Sequence, residues 1–330
     1  MEAALGERVS GLSAEKFAGG QSNPTYLLRV DGEPRWVLRK KPPGVLLPSA
    51  HAVEREYRVM AALADTDVPV PRMRALCTDA EVIGTPFFLM EHVAGRMFWD
   101  MRLPAVQPAE RGALYDDMNR VIAALHAVDV TSRGLAEFGR QGGYFARQIA
   151  RWTAQYRATE TARIDAMESL IDWLPRAVPA GLDETRLVHG DFRIDNLIFH
   201  AEEPRVIAVI DWELSTLGHP LADLAYHLMS WRLSPEEFRG LAGEDLRALG
   251  IPDEAQYLSA YVARTGQPAV DAPTWSFAII YNLFRVACIR QGVLKRALDG
   301  NASSERAVEA GRRAGDIAAL AWRMARGAGA

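Results

Sequence analysis

The sequence predicts an α+β fold in two parts, a small β-rich first lobe (1–93) and a larger helical second lobe (94–330), with a cleft between them. Three observations carry this. Apolar runs of strand length, separated by turn residues, fill the first part. From Pro108 onward the apolar residues recur at helical spacing. A strand-turn-strand pattern from Leu187 to Glu213 interrupts the helices and places polar residues at the ends of apolar runs.

The elements follow in order. Residues 25–30 form a strand pattern, Asp31-Gly32 a hairpin turn, and 35–40 the returning strand, which Pro42-Pro43-Gly44 ends. Ser49 is placed to cap a helix through Leu63, with Val53, Tyr57 and Met60 on one stripe. Pro69 and Pro71 break the chain, residues 75–77 and 86–93 read as two more strands, and Ala94-Gly95 is a natural hinge. The second part opens with a helix over 110–128 carrying Leu114, Met118, Val121, Ile122 and Leu125 on one face. Helical patterns over 143–158 and 163–177 follow. Beyond Pro220 helices continue, broken at Ser234-Pro235, Gly250 and Gly266.

Bulk properties exclude several classes. A net charge of -4 gives no global attraction to nucleic acid or to an anionic membrane. Cys77 and Cys288 share no metal-binding or redox spacing, which fits a reducing compartment. The first residues lack the apolar core of a signal peptide, and no uncharged run approaches the ~20 residues that span a bilayer. A cytoplasmic monomer or homodimer is expected.

The chemistry is concentrated in His189-Gly190-Asp191, Asn196 and Asp211. Phosphoryl transfer needs a carboxylate to receive the proton of the attacking hydroxyl. It also needs hard oxygen donors to hold the magnesium that neutralises the phosphates. Asp191 suits the first task. Asn196 and Asp211, with Glu213 two positions on, suit the second. No Gly-x4-Gly-Lys-Ser/Thr run supports a P-loop, and no Asp-Phe-Gly or Ala-Pro-Glu supports a protein kinase.

The ordered pair His-Gly-Asp-x4-Asn and Ile210-Asp211-Trp212 resembles the aminoglycoside phosphotransferase and choline kinase superfamily, a cousin of the protein kinases. Segments 37–44, 47–58 and 211–220 look most like the phosphotransferase domain associated with acyl-CoA dehydrogenases. The resemblance covers nearly the whole chain. It implies a protein-kinase-like two-lobe fold, ATP and Mg2+ as cofactors, and a small-molecule hydroxyl as acceptor. It suggests a hydroxyacyl-CoA or hydroxy acid. An aminoglycoside, amino-sugar or choline-type kinase and a non-catalytic nucleotide-binding protein are the alternatives. The acceptor, the choice of ATP or GTP and the oligomeric state stay open.

The resemblance also assigns the first lobe. Gly19, Gly20, Ser22 and Asn23 occupy the nucleotide loop. The phosphate-binding cation is Arg39 or Lys40, which strand alternation places on opposite faces; the match favours Arg39. Glu56 would pair with that cation, while Glu54 is expected to face solvent. Glu91 and Val93 lie in the interlobe segment, where backbone groups would read an adenine edge. His189 is expected to fix the catalytic loop and Asp223 to brace it. Arg193 could touch the transferred phosphate or stay exposed. Arg285 is expected in an ion pair to another helix, with contact to an anionic substrate group as the alternative. Trp99, Tyr144, Trp152 and Trp231 could line a pocket, but aromatics at such spacing are more simply core.

Overall fold

A computed structural model describes residues 9–17, 23–42, 52–299 and 305–329. The first lobe is a five-stranded antiparallel sheet of β1 (Leu12–Lys16), β2 (Thr25–Val30), β3 (Glu33–Lys40), β4 (Met73–Cys77) and β5 (Phe87–Glu91), in the order β1-β2-β3-β5-β4. Asp31, at φ 52°, and Gly32, at φ 90°, turn β2 into β3, as the hairpin signal requires. The exposed edge strand β1 has no apolar alternation to announce it. The expected strand over 86–93 ends at Glu91.

Alternation sorts the two faces of this sheet. Leu28, Trp36, Leu38, Phe87 and Leu89 form a small core on one side. On the other lies α1 (Val53–Leu63), with Val53, Val59, Met60 and Leu63 fully or almost fully buried. These residues and Phe88 belong to the main core of the protein rather than to a core of the first lobe. Arg55 of α1 donates across to the carbonyls of Phe138 and Ser215, at 2.8 and 3.3 Å. The helix is thus as much a part of the second lobe as of the first. Ser49 lies outside the described residues, and Ala52 at the start of α1 supplies no side-chain cap.

Gly95, the expected hinge, lies where the strap after β5 comes close to the second lobe. The strap after β5 pairs with the second lobe, Arg96 and Phe199 exchanging two backbone bonds of 2.8 Å. A Cβ on Gly95 would lie 2.3 Å from the Phe199 carbonyl oxygen. The glycine therefore permits close approach of two backbones. Arg96 then clamps the strap, donating to the carbonyls of His200 (2.9 Å) and Glu203 (3.1 Å).

The second lobe is helical. Its helices are α2 (Pro108–His126), α3 (Tyr144–Thr159), α4 (Asp165–Trp173), α5 (Pro220–Leu228), α6 (Pro235–Phe238), α7 (Leu246–Leu249), α8 (Glu254–Thr265), α9 (Ala272–Leu298), α10 (Glu305–Arg312) and α11 (Ala314–Gly327). Two small antiparallel pairs carry the polar motif: β6 (Arg186–Val188) with β9 (Thr216–Gly218), and β7 (Leu197–Phe199) with β8 (Val206–Val209). Among the described residues α9 alone is long and apolar enough to cross a membrane. Here it is the central core helix, packed on α3, α5 and α11 and capped by Asp271, which accepts from Thr274 N. Trp231 is core as expected, edge-on to Tyr115 at 5.6 Å.

Two histidines in this lobe make folding pH-dependent. His219 and His227 are 3% and 1% exposed, and burial holds each imidazole down at about 4. In an unfolded chain they titrate near 6.5, so below that pH unfolding takes up protons that the fold excludes. Their contribution is complete above pH 6.5 and is lost as pH falls through about 4. The melting temperature should therefore drop across this window, less steeply for His227→Gln. A flat profile, or equal slopes in the two proteins, contradicts the assignment.

Candidate active site

The catalytic loop follows β6. Gly190 sits at φ +82°, and a Cβ there would come within 2.6 Å of the Leu214 carbonyl oxygen. Glycine is therefore demanded twice, by conformation and by space. Asp223, from the first turn of α5, holds the loop from behind. Its two oxygens accept the backbone N–H of His189 (2.7 Å) and of Gly190 (2.8 Å). His126 Nε2 lies 3.3 Å away, with its Nδ1 2.8 Å from the Tyr261 hydroxyl. Burial alone would favour a protonated Asp223, but the His126 contact and the loop N–H donors hold its carboxyl below the usual range.

His189 has the structural role expected. Its Nε2 donates to the Ile210 carbonyl at 3.0 Å and its Nδ1 accepts from Asp191 N at 3.2 Å. Both ring nitrogens are committed within the loop, which fixes the orientation of the ring.

Asp191, Asn196 and Asp211 come together. Asn196 Nδ2 donates to the Asp191 carbonyl (2.8 Å) and to Asp191 Oδ2 (3.0 Å), which orients the amide and leaves Oδ1 as its hard donor. The register Leu197↔Val209 continues into a bond from Ile210 N to the Asn196 carbonyl at 2.9 Å, so Asp211 follows directly beside Asn196. Asp211 itself is left-handed, at φ 65°, a conformation that Asp tolerates better than most residues.

The first lobe supplies a cation to this group. Arg39 Nε lies 3.1 Å from Glu56, and its Nη2 lies 2.7 Å from Asp211 and 3.5 Å from Glu213. Arg39 is thus the inward cation. Lys40 shares the opposite face with Leu38 and Trp36 and stands away from the ion cluster, which corrects its inclusion among the nucleotide contacts. Burial pushes the Glu56 carboxyl up to about 7 against the pull of Arg39, with Asp211 and Glu213 adding to the rise.

Other expectations need correction. Asn23 is buried, and its amide donates to Glu56 at 2.8 Å. It orients Glu56 and does not line an exposed phosphate loop. Gly19, Gly20 and Ser22 lie outside the described residues. The Glu91 side chain pairs with Arg74, and its N–H donates to the Arg72 carbonyl, so only its carbonyl remains for a ligand. Glu54 pairs with Lys41 at 2.7 Å instead of facing solvent alone. Arg285 forms no ion pair among the described residues. It donates to the Gly190 carbonyl at 2.6 Å, with its guanidinium 5.5 Å from the Trp152 ring and 4.6 Å from that of Tyr226. Sequence reasoning passed over Tyr226, whose phenol is held above its ordinary range by burial and by the nearby Asp191 charge. Its position three residues after Asp223, on the same face of α5, is the signal that could have found it.

Magnesium fits this donor set. Asp211 and Asn196 carry the hard oxygen donors that magnesium prefers, and Glu213 stands two positions beyond Asp211.

A small antiparallel sheet carrying an Arg–Glu pair, set over a helical lobe that presents Asp191, Asn196 and Asp211, defines a phosphotransferase of the protein-kinase-like class. Comparison with known proteins gives the family. The chain belongs to the Phosphotransferase enzyme family, whose sequence profile matches residues 13–259. It is 49% identical over 325 residues to acyl-CoA dehydrogenase family member 10 of Mus musculus, covering 97% of this chain and 30% of that protein. It is 43% identical over 316 residues to acyl-CoA dehydrogenase family member 11 of Homo sapiens, covering 92% and 40%. The chain thus spans well under half the length of these relatives. A Ralstonia eutropha crystal structure provisionally assigned as an aminoglycoside phosphotransferase matches with TM-score 0.90 and 52% identity, over 99% of this chain and 96% of that one. A thermostable aminoglycoside phosphotransferase APH(4)-Ia, in ternary complex with AMP-PNP and hygromycin B, shares the fold at TM-score 0.62 and 17% identity, over 96% and 95%.

Asp223→Asn tests the brace. An amide would turn a donor toward one of two buried N–H groups, costing roughly 2–3 kcal/mol of stability by denaturant titration. Phosphotransfer should fall by about two orders of magnitude as the loop loses its position. A variant with wild-type stability would show that Asp223 does not hold the loop.

Proposed function

We propose that this enzyme transfers the γ-phosphoryl group of ATP, with magnesium, to the hydroxyl of a hydroxyacyl-CoA or hydroxy acid. The observation that carries the phosphotransfer is the shared constellation of Asp191, Asn196 and Asp211, with Arg39 reaching Asp211 from the other lobe at 2.7 Å. The kinship with acyl-CoA dehydrogenase family members 10 and 11 motivates the acceptor class.

In this reading Asp191 accepts the proton of the attacking hydroxyl. The hydroxyl oxygen bonds to the γ-phosphorus, the bond to the bridging oxygen breaks, and ADP leaves. Asn196 and Asp211 would hold Mg2+, with Glu213 beside them. The ion would supply charge neutralisation at the phosphates. Glu56 and Asn23 orient Arg39 toward those phosphates. The Val93 backbone, in the strap after β5, would meet the adenine edge. Arg193, whose Nε lies 3.3 Å from Asp191, would meet the transferred group. The intact trio argues against a non-catalytic binding protein. A cytoplasmic location accords with the two free cysteines.

Incubation with MgATP and a panel of hydroxyacyl-CoAs and hydroxy acids, read by mass spectrometry, should yield a product heavier by one phosphoryl group. Asp191→Asn should lower its formation at least ~100-fold. Phosphorylation confined to amino sugars or aminoglycosides would replace the proposed acceptor. A second expectation concerns the metal: Asp211→Asn should weaken MgATP binding by roughly tenfold or more in calorimetry, with nucleotide alone less affected. Equal losses with and without magnesium would remove Asp211 from the metal site.

A further inference from the structure

The catalytic loop carries a second carboxylate that the transfer chemistry does not use. Asp195 follows Asp191 in the short turn Ile194–Asn196 and is 8% exposed. One of its oxygens, Oδ2, accepts from two guanidiniums, Nη2 of Arg193 at 2.9 Å and Nη1 of Arg239 at 3.0 Å. Burying an ionised carboxylate is costly unless it is paired, and two arginines from different elements pair this one.

The bond to Asp195 leaves Arg193 only partly engaged. Its Nη2 is committed to Asp195, and its guanidinium stands 5.6 Å from the Phe238 ring. Its Nε is buried and lies 3.3 Å from Asp191 Oδ1, yet it makes no hydrogen bond among the described residues. The other Asp191 oxygen already accepts the Asn196 amide at 3.0 Å. A buried N–H without a bond costs roughly 1–3 kcal/mol until a ligand atom or a water meets it. A guanidinium can give one N–H to one oxyanion and a second N–H to another, which the single charge of a lysine cannot do in one geometry. Arg193 is therefore anchored through one nitrogen and free to donate through another, directly beside the proposed base.

We propose that Asp195 is a positioning residue for phosphoryl transfer, holding Nη2 of Arg193 so that Nε is preset for an oxygen of the γ-phosphoryl group beside Asp191. This rests on the phosphotransferase reading and deepens it by a residue that acts only through Arg193. The half-exposed Arg239, just after α6, takes the same oxygen and fixes Asp195 from a second element. Preset donors need no reorganisation when the phosphoryl group arrives.

The test needs no acceptor. Calorimetry compares the magnesium complex of AMP-PNP, which carries a γ-phosphoryl group, with that of ADP, which lacks one. Asp195→Asn and Arg193→Gln should each weaken AMP-PNP binding roughly tenfold and ADP binding by less than about twofold. In the double variant the loss should match that of Arg193→Gln alone, because Asp195 acts through that guanidinium. Equal losses with both nucleotides would show that Asp195→Asn disturbs the neighbouring Asn196 instead. Additive losses would show that Asp195 acts by a route other than Arg193. Either result overturns the proposal and leaves the phosphotransferase reading standing. Should Asp195→Asn fail to fold in a thermal melt, Arg193→Lys decides. A loss like that of Arg193→Gln supports the anchored fork, and wild-type affinity for AMP-PNP overturns it. If the wild-type protein binds neither nucleotide, the phosphotransferase reading itself fails, and this proposal with it.

Discussion

The chemistry of this protein hangs on the buried carboxylate of Asp223. The turn that presents Asp191 leaves its own backbone N–H groups pointing inward. Two such N–H groups, on His189 and Gly190, meet the two oxygens of Asp223 at 2.7 and 2.8 Å. Burying an ionised carboxylate is expensive unless its lone pairs are filled. Here the loop donors and His126 fill them, and the charge is retained. The loop and the carboxylate therefore stabilise each other, and Asp191 inherits its position from that exchange. Arg285 completes the frame by taking the Gly190 carbonyl from the opposite helix.

A second constraint joins the lobes. Glu56 sits at the first lobe's helix, yet that helix buries its apolar stripe in the main core. Arg39 extends from the sheet to Glu56 and onward to Asp211. Three elements from distant parts of the chain thus meet in one ion network. Its cation is shared among Glu56, Asp211 and Glu213, so a change in the charge at Asp211 alters how strongly Arg39 is held at Glu56. Burial, with the neighbouring charges of Asp211 and Glu213, raises the Glu56 carboxyl against the pull of Arg39. Asn23 adds a neutral donor to Glu56 at 2.8 Å, which helps orient the carboxylate.

Much of this was legible in the sequence because it depends on short-range rules. Period-two alternation separated Arg39 from Lys40, and helical periodicity located α2 and α3 to within a residue or two. The ordered motif from His189 to Asp211 announced the site, because two short strand pairs must carry these residues at fixed offsets. What escaped depends on contacts distant in sequence. Gly95 looked like a hinge because nothing local reveals the Phe199 carbonyl beside it. Asn23 sat next to glycines and so looked like loop, although its amide is spent on a glutamate from another element. Arg285 suggested an ion pair because burying a guanidinium among Trp152 and Tyr226 rings is recognisable only once α3, α5 and α9 are packed.

The same packing explains why the two sides of Asp191 differ in charge. Carboxylates from the β7–β8 hairpin and from α1 gather on the side where a cation must be held. The guanidiniums of Arg193 from the catalytic loop and Arg290 from α9 stand beside the Phe238 ring. Tyr226 and Phe238, edge to face at 6.5 Å, help keep them apart with apolar surface. Arg193 is the exception that spans both, bonded to Asp195 and close to Asp191. A scaffold shared by many phosphotransferases can thus change its acceptor by altering which charges line the helical lobe, while Asp223 and Arg39 keep the transfer geometry fixed.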